Sequence, residues 1–317
     1  MKCTIVIRSY NEERHIGKLL YGISQQSLAP HEIIVVDSGS ADNTREIANR
    51  MGARVIRIDK GEFTFGRALN VGCQAATGDI LVFASAHVYP LHRGWLRQLV
   101  APFENENVSV SYGRQLAADI NKFSERRIFQ SWFPDTSISQ QKSYFCNNAN
   151  CAVRKVEWLR RPYDERLTGL EDLAWAKQAQ AEGRWVVYRA DAEIVHVHNE
   201  TWSQVRNRYR REAIAMRQID ENASFGRLDF LRYLLVSALS DLRIANRLGV
   251  LRREFKSILL FRYNQFMGTF QGYKDPDDVS AELRARFYFP SVAITHERSF
   301  SETEAIEYGA CSSLECN

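Results

Sequence analysis

The chain has 317 residues, a mass of 36.5 kDa and a composition that is 45% hydrophobic and 25% charged. This composition excludes an intrinsically disordered chain, a collagen and a small disulfide scaffold, and the length suffices for one large domain or two ordinary ones. No run of about 18 apolar residues is present, so we predict no transmembrane helix. The six cysteines form no CxxC pair and the first residues lack the apolar run of a signal peptide, so we expect reduced thiols in a cytoplasmic protein.

The net charge of +4 is distributed unevenly along the chain. Residues 201–263 contain thirteen Arg or Lys against six Asp or Glu, a balance of +7, which leaves −3 for the rest of the chain. The basic character therefore belongs to one C-terminal segment and needs an explanation of its own.

The first part of the chain alternates short apolar runs with amphipathic segments. Strands are predicted at residues 4–8, 32–36, 54–58 and 79–83, with helices at 11–23, 45–51 and 65–77, the second of them capped by residues 42–44. This alternation predicts βαβ units, and hence an α/β fold with a mostly parallel sheet. Ligands of such sheets bind beyond the carboxyl ends of the strands. Polar clusters follow three of the predicted strands: Ser9-Tyr10-Asn11-Glu12, Asp37-Ser38-Gly39-Ser40 and Ser85-Ala86-His87.

The pattern continues to about residue 200 and then changes. Further elements are predicted as a helix at 94–103, a strand at 108–112, an irregular aromatic-rich stretch at 117–144, a loop entering a strand at 147–154, a helix at 173–180 and strands at 185–188 and 194–198. Beyond residue 201, helix follows helix. We therefore divide the chain into an α/β domain of residues 1–200, a basic helical extension of residues 201–290 and a tail of residues 291–317, which we expect to be poorly ordered.

Each polar cluster has a chemical and a structural interpretation. The carboxylate of Asp37 can accept the imide N–H of a pyrimidine while Gly39 lets the backbone approach the ligand, but the same residues suit a simple turn. The cluster at Ser9–Glu12 is equally a helix N-cap.

Two acids and two histidines also suggest chemistry. Glu171 and Asp172 begin a predicted helix, where they either complement the helix dipole or supply a general base for an attacking hydroxyl. His196 and His198 alternate along a predicted strand, so their imidazoles share one face. They can ligate a divalent metal or contact phosphate, and structural histidines are the alternative.

Together these clusters resemble family 2 of the glycosyltransferases, enzymes with the GT-A fold. The resemblance covers roughly residues 3–200 and is strongest before residue 90. The matching segments are IVIRSYNEE at 5–13, EIIVVDSGSADNT at 32–44, GRALN at 66–70 and ATGDILVF at 76–83. The Asp-Ser-Gly-Ser variant is most similar to the rhamnosyltransferase-like and capsule or O-antigen branches.

The resemblance implies an inverting transfer from a nucleotide-diphosphate sugar to a hydroxyl of a bacterial surface glycan precursor, free or lipid-linked. Asp172 matches the catalytic base, with Glu171 as its neighbour or substitute, and Asn148 and Asn150 lie in the acceptor-side loop. The positions implied to bind the donor are Ser9, Tyr10, Asn11, Glu12, Asp37, Ser38, Gly39, Arg67, Asn70, Ser85 and His87.

One departure from the family concerns its metal site. The family usually places Asp-x-Asp after the fourth strand to hold Mg²⁺ or Mn²⁺, whereas this chain has Ser85-Ala86-His87. Because hard cations prefer oxygen ligands, Mg²⁺ should bind more weakly here. Either His87 and His198 ligate a softer metal such as Mn²⁺, or arginine and histidine cations replace the metal. A third possibility is a catalytically silent GT-A domain that serves as a scaffold in a glycan-assembly complex.

The basic extension has several interpretations. Its first helix adjoins His198, so Arg206 or Arg210 can reach the donor diphosphate. Farther on, Arg232, Arg243 and Arg247 cluster beside an apolar helical stripe, which suits a peripheral platform on an anionic membrane, at the inner face of the cytoplasmic membrane. Helices packed on the catalytic domain, or a homodimer surface, are the alternatives.

Two other functions are set aside. We expect no nucleic-acid partner, because the chain has no nucleic-acid motif and its pI is only about 8.7. A nicotinamide dehydrogenase is excluded because no GxGxxG follows the first strand.

Overall fold

The computed structural model describes residues 1–275 and 306–308. Its strands are β1 (Cys3–Ser9), β2 (Glu32–Asp37), β3 (Arg54–Arg57), β4 (Ile80–Ser85), β5 (Val88–Pro90), β6 (Val108–Ala117), β7 (Asn150–Arg154) and β8 (Trp185–His196). Its helices are α1 (Ile16–Ser24), α2 (Thr44–Arg50), α3 (Phe65–Ala75), α4 (Trp95–Val100), α5 (Phe123–Trp132), α6 (Lys155–Arg160), α7 (Glu171–Ala181), α8 (Trp202–Ile219), α9 (Arg227–Arg247) and α10 (Leu251–Gly272).

The strands form one mixed sheet in the order β3-β2-β1-β4-β7-β6-β8-β5. The first four strands are parallel, β7 runs antiparallel to both of its neighbours, and β5 runs antiparallel to β8. Ile5 and Ile7 of β1 pack into the hydrophobic cluster on one face of the sheet, whereas Val6 packs into the cluster on the other. A continuous apolar run fits this arrangement because the strand is buried on both faces. The structure confirms the predicted α/β class.

The structure corrects several predicted elements. The stretch at 117–144 was expected to be irregular, but it contains α5, which buries Phe123 and Phe129. The strands predicted at 185–188 and 194–198 belong to one strand, β8, which pairs with β6 at both of its ends through two irregularities in register and ends at His196. The helix predicted from residue 11 begins only at Ile16. These differences come from long-range pairing and packing that a local pattern does not contain.

The C-terminal helices pack on one another at close range. Two glycines of α10 lie against the backbone of α8: a Cβ added at Gly268 or at Gly272 would come within 2.3 Å of the carbonyl oxygen of Arg206 or Arg210. Helix α9 is joined to α10 by a buried ion pair, in which Arg262 Nε donates to Asp241 Oδ2 at 2.8 Å. None of the helices in the described ranges has the length and hydropathy needed to cross a bilayer.

The proposed division of the chain is only partly covered by the structure. Strand β8 ends at His196 and α8 begins at Trp202, so the predicted change near residue 200 falls in the loop between them. Helix α5 packs against α10, so the division into separate domains stays a prediction. Residues 276–290 of the extension and the tail of residues 291–317, apart from 306–308, lie outside the described residues.

The substitution Asp241→Ala should destabilise the helical extension. It leaves the Arg262 guanidinium buried without its counter-charge, which costs about 3–5 kcal/mol of unfolding free energy. The neighbouring exposed substitution Ser240→Ala should change it by less than about 0.5 kcal/mol. Chemical denaturation followed by circular dichroism measures both. Equal stability of the two variants would contradict the assigned role of the ion pair.

Candidate active site

A cleft of about 500 Å³ opens at the carboxyl ends of β1 and β4. This volume lies within the usual range for small-molecule sites. Its walls are loops that follow β1, β2 and β4, the loop before β7, the first turn of α7, the end of β8 and one face of α8. Of the predicted residues, it brings together Ser9, Tyr10, Asn11, Glu12, Ser38, Ser85, His87, Asn148, Glu171, Asp172 and His198.

The loop after β1 is held in an unusual backbone conformation. Asn11 has a φ of 54°, a left-handed geometry that asparagine tolerates better than most residues. Its backbone N–H donates to Ser40 Oγ at 2.9 Å, and its side-chain oxygen accepts the N–H of Ala41 at 2.9 Å. The loops after β1 and β2 therefore form one connected wall of the cleft.

The carboxylate of Asp37 is fully buried beneath this wall. It accepts hydrogen bonds from the N–H groups of Gly39 and Ser40, at 3.1 and 3.0 Å, and from the hydroxyls of Ser9 and Ser40. Gly39 has a φ of 83°, which this turn requires and which glycine adopts freely. The observed contacts shape the loop, and the hydrogen bond from Asp37 to a nucleobase stays a prediction.

The first turn of α7 presents Asp172 to the cleft. Leu170, with a φ of 56°, precedes the helix and turns the chain into it. One carboxylate oxygen of Asp172 accepts the Asn148 N–H at 2.8 Å, and the other accepts the Leu173 N–H at 2.9 Å. Burial, reinforced by the negative charge of Glu171, raises the pKa of Asp172 from its usual 3.8 to about 7. The side chain is therefore suited to accept a proton near neutral pH.

Two polar groups flank Asp172. Glu171 accepts a hydrogen bond from Arg8 at 2.9 Å, so the guanidinium of this β1 residue balances the negative charge of Glu171. Asn148 is buried and lines the cleft, yet its side-chain amide has no hydrogen-bond partner within the described ranges. Because buried amides are normally satisfied, this group is suited to bind a polar ligand.

Three histidines meet where the family places its acidic metal motif. His196 Nε2 and His198 Nε2 are 3.0 Å apart, and the ring of His87 stacks on that of His196 with centroids 5.1 Å apart. Potential ligand nitrogens of the three rings lie within 4.8 Å of one another. Burial lowers the pKa of His87, but the charge of Glu12 outweighs it, so the pKa is raised overall. Burial lowers the pKa of His196 well below its usual value.

Several predicted site residues lie outside the cleft lining. Arg67 pairs with Glu62 at 3.0 Å, and Asn70 holds the loop that follows α6 through Trp158 and the backbone of Tyr163. Asn150 is fully buried, where it binds the Trp95 indole and two backbone carbonyls. Gly39 contributes through backbone geometry alone. These side chains support the elements around the site.

The predicted reach of Arg206 and Arg210 to the donor is not what the structure shows. Arg206 donates to Asn264 at 3.0 Å, and Arg210 to Asp275 at 2.5 Å, on the side of α8 that packs against α10. Arg208 and Arg211 line the cleft in their place. Helix α8 does line the cleft, but the two predicted arginines lie on its other face, because only the packing of α10 defines which face of α8 is covered.

Sequence reasoning also missed other cleft residues. Arg8 lies inside an apolar strand run and carries no local signal of its role. The aromatic part of the lining comes from segments distant in sequence: Phe63, Phe65, Phe129, Trp132 and Phe133. For Phe129, Trp132 and Phe133, the only signal in the sequence is the high aromatic content of residues 117–144.

The comparisons with known proteins agree with this geometry. Residues 4–167 match the family model described as "Glycosyl transferase family 2", so the chain belongs to this family of glycosyltransferases. It is 28% identical over 222 residues to the O-antigen chain rhamnosyltransferase RfbN of Salmonella typhimurium, covering 66% of this chain and 70% of the relative. It is 26% identical over 218 residues to WbaN of Salmonella anatum, also an O-antigen chain rhamnosyltransferase, covering 65% and 69%.

A solved structure supports the fold. The mannosyltransferase PcManGT from Pyrobaculum calidifontis, in complex with GDP-Man and Mn²⁺, superposes with a TM-score of 0.55. The match covers 91% of this chain and 87% of PcManGT, at 17% sequence identity. The GT-A fold that the sequence predicted is thus confirmed.

The substitution Asp172→Asn should stabilise the protein more at pH 8 than at pH 4.5. Folding raises the pKa of this acid, so the folded protein binds the proton more tightly than the unfolded chain, and stability falls as pH rises from about 4 to about 7. The Asp172→Asn variant has an amide that does not titrate in this range, so it lacks this fall in stability between about pH 4 and pH 7. Melting temperatures at the two pH values measure the effect, with the exposed Asp119→Asn as control. Parallel shifts for both variants would contradict the raised pKa.

Proposed function

We propose that the protein is an inverting glycosyltransferase that moves a sugar from a nucleotide-diphosphate donor to a hydroxyl of a bacterial surface glycan precursor. The observation that carries this proposal is Asp172, a carboxylate buried beside the cleft with a pKa raised to about 7. The relatives named as O-antigen rhamnosyltransferases favour a deoxyhexose donor and an O-antigen-type acceptor.

In this reaction the acceptor oxygen attacks the anomeric carbon from the side opposite the diphosphate. The bond between that carbon and the leaving phosphate oxygen breaks, and the hydroxyl proton passes to Asp172. Asn148 and Leu173 hold the carboxylate through their N–H groups, so its orientation is fixed before the substrate arrives. Arg8 balances the charge of Glu171, which leaves Asp172 as the group that takes the proton.

Cationic side chains can stabilise the negative charge that develops on the leaving diphosphate. Arg8, Arg208 and Arg211 all line the cleft. A divalent metal, held by His87, His196 and His198, would supply further positive charge at this position when bound. Fixed cations directed at a developing negative charge are a major source of transition-state stabilisation.

The aromatic side of the cleft is the proposed acceptor region. Phe129, Trp132 and Phe133 line the same cleft as Asn148. Aromatic rings offer apolar faces to the C–H groups of a sugar ring, while the Asn148 amide, which has no hydrogen-bond partner among the described residues, can bind its hydroxyls. This combination suits a glycan acceptor.

The substitution Asp172→Asn should lower kcat by about 10²–10⁴-fold, because the attacking hydroxyl loses its base. Donor binding measured by calorimetry should change little. Turnover is measured as nucleotide release from a panel of uridine, thymidine and guanosine diphosphate sugars, with lipid-linked glycan precursors present. Asp191→Asn, an exposed acid of β8, is the matched control. If Asp172→Asn left cellular glycan unaltered, the protein would be a scaffold instead.

We further propose that α9 rests on an anionic membrane surface. Its outward side exposes Leu228, Leu235 and Leu239, the first of them 83% exposed. Arg232, Arg243 and Arg247 lie on the same side of the helix. All three are exposed and have no acidic partner in the part of the chain that is described. Leucines and arginines recurring three or four residues apart form adjacent stripes on one helix side. Apolar side chains inserted beside cations that meet anionic headgroups suit an interfacial helix.

Replacing Arg232, Arg243 and Arg247 by Gln should weaken binding to vesicles that contain phosphatidylglycerol by about two orders of magnitude, since each cation contributes about 1 kcal/mol. Co-sedimentation measures this. The matched control replaces three exposed arginines elsewhere, Arg50, Arg57 and Arg97. Binding that ignores lipid charge and salt would overturn the membrane proposal, and salt-insensitive self-association would point to a homodimer surface.

A further inference from the structure

The three histidines at the end of the cleft are each oriented by a different hydrogen-bond acceptor. His87 Nδ1 contacts Glu12 at 2.8 Å, His196 Nδ1 contacts Gln115 at 2.8 Å, and His198 Nδ1 contacts Glu125 at 2.7 Å. An oxygen acceptor at Nδ1 places the N–H of a neutral imidazole there and leaves the Nε2 lone pair for another partner. Metal-binding histidines characteristically have such an acceptor on the second ring nitrogen.

The lone pairs that remain face each other. His196 Nε2 and His198 Nε2 are 3.0 Å apart, and two lone pairs at this distance repel unless a proton or a cation lies between them. A proton can serve two nitrogens. Here a third imidazole, His87, brings a ligand nitrogen within 4.8 Å of the other two. A bridging proton would satisfy only two of these nitrogens, whereas all three can bind one metal ion.

The distances also suit a transition metal. Two imidazole nitrogens bound tetrahedrally to one zinc-type ion, at about 2.0–2.1 Å each, lie about 3.3–3.4 Å apart. The 3.0 Å between His196 Nε2 and His198 Nε2 is slightly shorter, so a small separation of the two rings would admit the ion. A second possible group, Glu125, His198 and Glu200, is less suitable, because Arg208 already binds both of its carboxylates.

We propose that His87, His196 and His198 form a three-imidazole site for a divalent transition-metal ion, with Glu12, Gln115 and Glu125 as positioning residues. Imidazole ligands favour zinc, cobalt, nickel and iron over magnesium. Three protein ligands would leave at least one coordination position of a four-coordinate ion for a further ligand, and all three histidines line the cleft. In its relation to the donor diphosphate this inference rests on the proposed function, whereas metal binding itself does not.

The test uses the full chain, purified without a polyhistidine tag, with Co²⁺ as the probe. We expect one Co²⁺ per chain, with visible absorption typical of nitrogen ligation and displacement by Zn²⁺ but not by millimolar Mg²⁺. Single substitutions of His87, His196 or His198 by Ala should each weaken binding at least 100-fold. His31→Ala, an exposed histidine, is the matched control.

The positioning residues provide a second, milder test. Gln115→Leu should weaken Co²⁺ binding by about 10–100-fold while His196 is still present. Circular dichroism and the melting temperature establish that each variant folds. No binding to the wild-type chain, or equal affinity in all folded variants, would overturn the proposal. Since these readouts need no donor, failure of the proposed transferase reaction leaves them interpretable, and full turnover by metal-free protein would refute only the role of the metal at the donor diphosphate.

Discussion

The ion pair between Arg8 and Glu171 joins the first strand of the sheet to the helix that carries the proposed base. The guanidinium of Arg8 also lies 4.8 Å from the ring of Phe65, and Arg211 of α8 lies 4.5 Å from the same ring. One cluster thus connects β1, α3, α7 and α8. Because Arg8 pairs with Glu171 while burial raises the pKa of Asp172, the two adjacent acids have different environments, which supports the different roles proposed for them. Environments that separate neighbouring carboxyl groups are typical of acid–base sites.

The excess positive charge of the C-terminal segment divides between two surfaces. Arg208 and Arg211 turn inward to the cleft, where Arg208 is bound by Glu125 and Glu200. The arginines of α9 turn outward. A single compositional feature therefore serves two proposed purposes, donor charge and membrane contact, because α8 packs under α10 while α9 covers neither the sheet nor the cleft.

The change from acidic metal ligands to imidazoles has consequences beyond His87. A histidine at this position needs an acceptor for its second nitrogen, and Glu12 of the β1 loop supplies it. His196 and His198 have acceptors of their own, Gln115 and Glu125, from β6 and α5. Two strands, one helix and the loops that follow β1, β4 and β8 therefore contribute to one cluster. Hydrogen-bond acceptors on the second ring nitrogens are typical of metal-binding histidines. Their presence favours a metal-binding enzyme over a catalytically silent GT-A domain.

The sequence alone determined the α/β class and the strand ends at which Ser9–Glu12, Ser38 and His87 meet. These follow from local apolar periodicity and from the rule that parallel strands present their carboxyl ends together. The family follows from the resemblance of its motifs, which also implied the role of Asp172 at the start of a helix. Only the tertiary structure decided which face of α8 meets the cleft, that β8 is a single strand, and that Asn150 is a support inside the sheet. These outcomes depend on contacts between residues far apart in the chain, such as Gly268 on Arg206 and Arg8 on Glu171, which no local pattern encodes.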